Sequence, residues 1–254
     1  MRFEKWHALG NAYVLVEQPD AGALTADRVR RMCNVLTGIG SDGVLEVVSR
    51  QVARAELRIW NPDGSNAEMS GNGTRIAAAW LLRESDAAEV EIDVGGRVVR
   101  SARTGDRVRQ EIGDARVGAD ETLEIPGERV TAIPVDVGNP HVVVRRDLLS
   151  RDDLLRVGPA LETHPRFPGR TNVQLARPES RDLVHVLVWE RGAGETSASG
   201  SSAVAVGAAA VARGWCASPV RIAMPGGELL VEVSGARVVL TGPATFVCAG
   251  TTML

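Results

Sequence analysis

Apolar residues along this chain recur mostly in short alternating or continuous runs, the pattern of strands rather than long helices. Arg2–Ala8, Tyr13–Glu17, Val44–Val48 and Leu57–Trp60 are β-branched or alternating stretches closed off by Gly, Asn or Pro, and they predict strands. Leu183–Trp189, Leu229–Val233 and Val238–Leu240 predict strands farther along. Helical spacing shows at Ala26–Leu36 and Asp152–Leu161. Two Ala-rich segments, Thr74–Leu82 and Ala203–Ala212, are apolar almost all round, which predicts helices enclosed by a core.

The same order of features occurs twice. Gly10-Asn11 precedes the run Val14-Leu15-Val16, and Gly138-Asn139 precedes Val142-Val143-Val144, an offset of 128. Ser70-Gly71 and Ser199-Gly200 open the two Ala-rich segments, offset 129, and Gly95-Gly96 pairs with Gly226-Gly227, offset 131. The segment starting at Thr104 matches the one starting at Ser234, offset 130. A nearly constant offset over half the chain predicts an internal duplication. The expected fold class is α+β: two pseudo-symmetric domains, each strand-rich and wrapped around a central buried helix, with a ligand cleft between them. Residues 1–120 and 121–254 are the expected domains, with the seam in the polar, turn-rich stretch 115–130.

Composition narrows the chemistry. With 44% hydrophobic and 24% charged residues the chain has an ordinary globular mix. A net charge of −3 without a basic run argues against a nucleic-acid surface. No apolar stretch approaches the roughly 20 residues that cross a bilayer, and the start MRFEKWHALGN has no apolar signal core, so a cytoplasmic protein is expected. Lys5 is the only lysine and lies in the opening strand, which leaves no plausible Schiff-base lysine for pyridoxal phosphate. Cys33, Cys216 and Cys248 are scattered, and His7, His141, His164 and His185 form no close metal-ligand spacing, so neither a metal nor an organic cofactor is expected. Oligomeric state is not set by these features, and a homodimer stays open.

Both Ala-rich segments begin alike, Ser70-Gly71-Asn72-Gly73 and Ser199-Gly200-Ser201-Ser202. Unpaired N–H groups at a helix start bind anions, and glycine allows close approach. Simple helix capping is the plainer explanation for one such start; two symmetric ones favour a site for a carboxylate. Each follows a turn-rich loop, Asn61-Pro62-Asp63-Gly64 in one repeat and Glu190-Arg191-Gly192 in the other. The first alone is a turn signal, and Glu190 with Arg191 alone reads as a solvated ion pair.

The motifs KWHALGN (5–11), GIGSDGV (38–44), NPDGSNAEMSGNG (61–73), GNPH (138–141), TNV (171–173), ERGAGET (190–196) and PGGEL (225–229) occur in this order. Together they resemble the diaminopimelate epimerases, from the first motif to the last. The resemblance implies a cofactor-independent epimerase acting on LL-diaminopimelate, a small amino acid, in lysine and peptidoglycan synthesis. One residue from each domain then removes or returns the α-proton. By motif, Asn11, Asn61, Asn139, Asn172, Glu190 and Arg191 fall where the family holds substrate, and Gly71, Asn72, Gly200 and Ser201 fall on its carboxylate-binding helix starts. His141 and Glu190 also lie where the family keeps polar neighbours of the catalytic pair.

The departure concerns that pair. The family's catalytic residues are both cysteines, and this chain has Ser70 and Ser199 at those positions. A thiol titrates near 8.5 and lower at a helix start, whereas a hydroxyl needs an adjacent base. Three readings stand open: an engineered inactive pair, a natural branch that keeps the anion cradle with altered chemistry, or working serines activated by His141 or Glu190. Alternatives to epimerisation are an amino-acid-binding protein on this scaffold, or an isomerase or dehydratase of a related amino acid.

Overall fold

The computed structural model describes every residue from Met1 to Leu254. In chain order come β1 (Arg2–Ala8), β2 (Asn11–Glu17), α1 (Gln18–Ala21), α2 (Ala26–Cys33), β3 (Val44–Arg50), β4 (Arg54–Trp60), β5 (Asn66–Ala67), α3 (Gly71–Glu84), β6 (Glu89–Val94), β7 (Arg97–Thr104) and β8 (Arg107–Asp114). There follow β9 (Arg116–Val117), β10 (Glu121–Ile125), β11 (Glu128–Asp136), β12 (Pro140–Arg145), α4 (Arg151–Glu162), β13 (Asn172–Ser180), β14 (Leu183–Glu190) and β15 (Gly194–Thr196). The chain ends with α5 (Gly200–Ala212), β16 (Val220–Met224), β17 (Gly227–Ser234), β18 (Arg237–Pro243) and β19 (Thr245–Thr251). Two compact units result, Met1–Glu111 with Gly242–Leu254, and Ile112–Thr241.

The duplication is visible in strand pairing. In the first unit β1–β2 is antiparallel, β2–β3 parallel, β3–β4 antiparallel, β4–β6 parallel, and β6–β7 and β7–β8 antiparallel. The second unit repeats this sequence of directions through β11, β12, β13, β14, β16, β17 and β18. The outermost position differs in origin. β10 pairs with β11 in the second unit, while β1 of the first unit pairs with β19 from the far end of the chain. A linear repeat does not reveal that exchange, because pairing is set by edge geometry rather than sequence order.

Alternation along strands gives each sheet two buried faces. On β2, Tyr13 and Leu15 pack with Ile76, Ala77, Trp80 and Leu81 of α3, whereas Val14 and Val16 pack with Val29 and Met32 of α2. In the second unit Val142 and Val144 join Val173, Leu175 and Leu154, Val157 and Leu161 of α4. Each such side chain stabilises the fold by roughly 1.5–3 kcal/mol relative to exposure. α5 is buried nearly all round, and Gly207 sets its depth: a Cβ there would lie 2.6 Å from Val231 Cγ1 of β17.

One detail departs from the sequence pattern. α2 stops at Cys33, because the Asn34 side-chain oxygen accepts from the Leu36 and Thr37 N–H groups and turns the chain. Val35 and Leu36 therefore stand exposed. The glycine-serine turns at Gly71 and Gly200 form the first turns of both core helices, as the sequence predicts. No helix is long and apolar enough to cross a membrane.

Candidate active site

At the start of α3, Ser70 is extended (φ −142°, ψ 117°) and its hydroxyl accepts from the Gly73 N–H at 3.0 Å. The Tyr13 hydroxyl lies 3.2 Å from the same oxygen. Gly73 packs closely here: a Cβ would come within 3.2 Å of Ser70 Cβ and 3.0 Å of Leu45 Cδ2. Asn72 is buried and donates to the Asn11 side-chain oxygen at 3.2 Å, and Asn11 in turn donates to Asp42 at 3.2 Å. Arg75 fixes the other end of the Asn72 amide, donating from Nη2 to Oδ1 at 2.8 Å. Burial pushes the Arg75 pKa down to about 10, so this guanidinium remains charged at neutral pH. The structure thus gathers Ser70, Gly71, Asn72 and Asn11 at one helix start. Asn61 heads the turn after β4, its N–H donating to Ser65 O at 2.8 Å and its Nδ2 to Ser65 Oγ at 2.9 Å.

The start of α5 repeats the backbone but not the hydrogen bonds. Ser199 has φ −144° and ψ 126°, close to Ser70, yet its hydroxyl does not cap the helix. It lies 3.5 Å from Ser201 Oγ, with the Glu190 carboxyl nearby. Burial pushes the Glu190 pKa up, and the Ser199 contact offsets part of that rise. Glu190 and Arg191 are therefore not paired as a surface ion pair: Arg191 Nη1 donates to Gly169 O at 3.2 Å.

The turn that carries Glu190 is held from below. Asn172 accepts from the Arg191 N–H at 3.0 Å and donates to Pro140 O at 2.9 Å, so its amide ties the turn to β12. Glu162 accepts from the Gly192 N–H at 2.9 Å and from Trp189 Nε1 at 2.7 Å. Burial raises the Glu162 pKa, but these donors together with Arg170 outweigh it and leave the carboxyl below its usual range.

His141 is 1% exposed, and both ring nitrogens are engaged. Gln174 Nε2 donates to Nδ1 at 3.0 Å, which leaves the proton on Nε2 to donate to Asn139 Oδ1 at 3.1 Å. Gln174 also donates to Ser202 Oγ at 3.0 Å. Burial pushes the His141 pKa down to about 3, so the ring is neutral and weakly basic at any ordinary pH. Its place in the second unit is that of a support for Asn139.

Four contributors escaped the sequence reading. Tyr13 and Gln174 read as strand residues, Arg75 as part of an apolar helix, and Glu162 as an ordinary helix end. The available signal was position: Tyr13 lies two residues after KWHALGN, and Gln174 directly follows TNV. Chemically, each helix start presents free N–H groups to an anion beside one hydroxyl, and the second start adds a carboxyl raised in pKa by burial.

The sequence profile of the diaminopimelate epimerases matches residues 3–117 and, a second time, 133–247. The chain belongs to the diaminopimelate epimerase family. It is 37% identical to diaminopimelate epimerase 2 of Nostoc sp., over 92% of this chain and 88% of that one. It is 35% identical to the diaminopimelate epimerase of Pseudomonas syringae pv. tomato, over 98% of both. The fold is shared more widely. A phenazine biosynthesis protein of Bacillus anthracis superposes with a TM-score of 0.76 at 14% identity, covering 100% of this chain and 99% of that one. The two profile matches fall one on each repeat, so this member of the family has the duplicated α+β architecture expected of it.

Proposed function

We propose that the protein is an amino-acid epimerase that interconverts LL- and meso-diaminopimelate by proton transfer at Cα, without a cofactor. The duplicated helix start carries this reading: the same serine-glycine turn heads both core helices, in a chain similar to diaminopimelate epimerases over nearly its full length. In it, Gly71, Asn72, Gly200 and Ser201 present backbone N–H groups to the substrate carboxylate, which also stabilises charge growing at Cα. Each repeat contributes one hydroxyl to the exchange, Ser70 or Ser199.

Glu190 makes a serine chemically useful. A hydroxyl alone misses the pKa that general acid–base catalysis wants. With Glu190 as acceptor, Ser199 passes its proton to the carboxylate as its oxygen takes the α-hydrogen. Asn11, Asn61, Asn139 and Arg191 supply polar contacts to the rest of the substrate, Asn172 sets the turn that bears Arg191, and His141 orients Asn139. The scattered cysteines suit a reducing compartment, and we place the enzyme in the cytoplasm.

Incubation with LL-diaminopimelate in D2O, followed by NMR or mass spectrometry, tests this reading. Deuterium is expected at Cα, with Glu190→Gln slowing incorporation by about 100-fold or more. Absence of deuterium over hours rejects the substrate and the reaction together. The double variant Ser70→Cys, Ser199→Cys is expected to raise the rate, since thiols are far better acids than hydroxyls.

A second reading is favoured by one observation: the Ser70 hydroxyl is engaged as a helix cap. A protein that binds the amino acid without turnover would be stabilised by ligand, by about 2.7 kcal/mol at 100 times its Kd, while the D2O experiment stays silent.

A further inference from the structure

The two serines have unlike neighbours, and the difference assigns a residue that the family resemblance does not. Ser199 faces a carboxyl, a group that takes protons. Ser70 faces the Gly73 N–H, which donates to its oxygen at 3.0 Å, and the Tyr13 hydroxyl at 3.2 Å, a group able to give or accept a hydrogen bond. Once Ser70 has lost its proton, both groups donate to its oxygen at a helix N-terminus, the surroundings that stabilise an alkoxide. Ser199 is arranged to lose its proton to a base, and Ser70 to survive as an oxyanion after giving its proton away.

The seat of Tyr13 is built for this. Its ring is buried on β2 among Ala8, Leu15, Leu45 and Ala77, and it lies so close to Gly43 that a Cβ there would come within 2.7 Å of the ring. It is also the only tyrosine in the chain.

We infer that Tyr13 is a positioning residue for Ser70, and that its phenol re-protonates the serine during turnover. The inference rests on the epimerase reading above. In the protonating step the Ser70 O–H bond breaks and its proton forms the new Cα–H bond of the substrate carbanion. The electron pair stays on Oγ, held by Gly73 N–H and Tyr13 O–H. The Tyr13 proton then moves to Oγ, leaving a phenolate that takes a proton from water. In the opposite direction the same groups run in reverse, with the phenolate drawing the proton from Ser70 as Ser70 takes it from Cα.

Because Tyr13 is the sole tyrosine, growth on a fluorotyrosine labels this position alone and makes the phenol more acidic without changing its shape. The test follows α-proton exchange in D2O against pH, with LL-diaminopimelate first and a panel of other amino acids after it. The wild type, Tyr13→Phe, Ser70→Ala and the fluorotyrosine protein are compared. Tyr13→Phe is expected to lower kcat by about 100-fold with little change in KM. The fluorotyrosine protein is expected to shift the alkaline limb of the rate profile to lower pH, and its ¹⁹F resonance to move on Ser70→Ala. If Tyr13→Phe keeps full kcat, or fluorination leaves the limb in place, Tyr13 is a packing residue and the inference fails. If LL-diaminopimelate is inert but another amino acid exchanges, the substrate assignment falls and Tyr13 is judged on the active compound by the same readouts. If nothing in the panel exchanges, both fall.

Discussion

Serine is a poor proton donor in water, and what it does in a protein depends on the groups within hydrogen-bonding distance of its oxygen. Ser70 and Ser199 share backbone angles and helix position but not neighbours, so their side chains are chemically unlike. The same logic separates the two groups first named as activators. Glu190 is buried enough to hold a proton more tightly than usual and lies near Ser199, whereas His141 is enclosed by Gln174 and Asn139. The histidine has a measurable consequence. Folding lowers its pKa from 6.5 to about 3, so the unfolded chain binds that proton more readily in between. The stability gained by keeping it neutral is fully present above about 6.5 and is lost as pH falls toward 3, at up to roughly 1.4 kcal/mol per pH unit. Urea unfolding of the wild type between pH 4 and 8 is expected to show this slope, and His141→Gln to flatten it. An unchanged slope in the variant would mean the burial of this ring is not what the acid limb reports.

At the scale of elements, helix starts decide the site. α3 is capped by Ser70, α5 is uncapped by its serine, and the difference should appear as stability. Ser70→Ala removes the bond to Gly73 N–H and is expected to cost about 1 kcal/mol. Ser199→Ala removes no capping bond and is expected to leave the melting temperature close to that of the wild type. Calorimetry on the two single variants distinguishes these outcomes, and equal losses would contradict the asymmetry. The elements were largely legible beforehand. β1 forms over Arg2–Ala8 as its pattern predicts, and both Ala-rich helices are enclosed. α2 was over-extended because Asn34 competes for backbone N–H groups, a local hydrogen bond that apolar periodicity does not register.

For the whole molecule, the division into units crosses the linear repeat. β19 gives β1 the outer neighbour that β10 gives β11, and Pro243, just before it, accepts from the Nε of Arg75 at 2.9 Å. Removing Gly242–Leu254 is therefore expected to unsettle the first unit while Ile112–Thr241 stays folded. Hydrogen exchange on the shortened chain should show protection lost along β1 and β2 and in α3, with α5 and β13 unaffected. Uniform loss over both units would show that the first does not depend on its returning strand in this way.

The sequence by itself determined the duplication, the enclosed helices, the paired serine-glycine turns and the family to which the chain belongs. These are properties of residue order: periodicity, spacing and motifs survive in one dimension. Tertiary structure alone decided which strand completes the first unit, that His141 is neutral and walled in, and that Ser70 meets Tyr13 whereas Ser199 meets Glu190. The contacts that complete the first unit and that join Tyr13 to Ser70 link residues far apart in the chain, 57 positions in the case of Tyr13 and Ser70. Burial and hydrogen bonding act through distance in space, and residue order does not encode that distance directly.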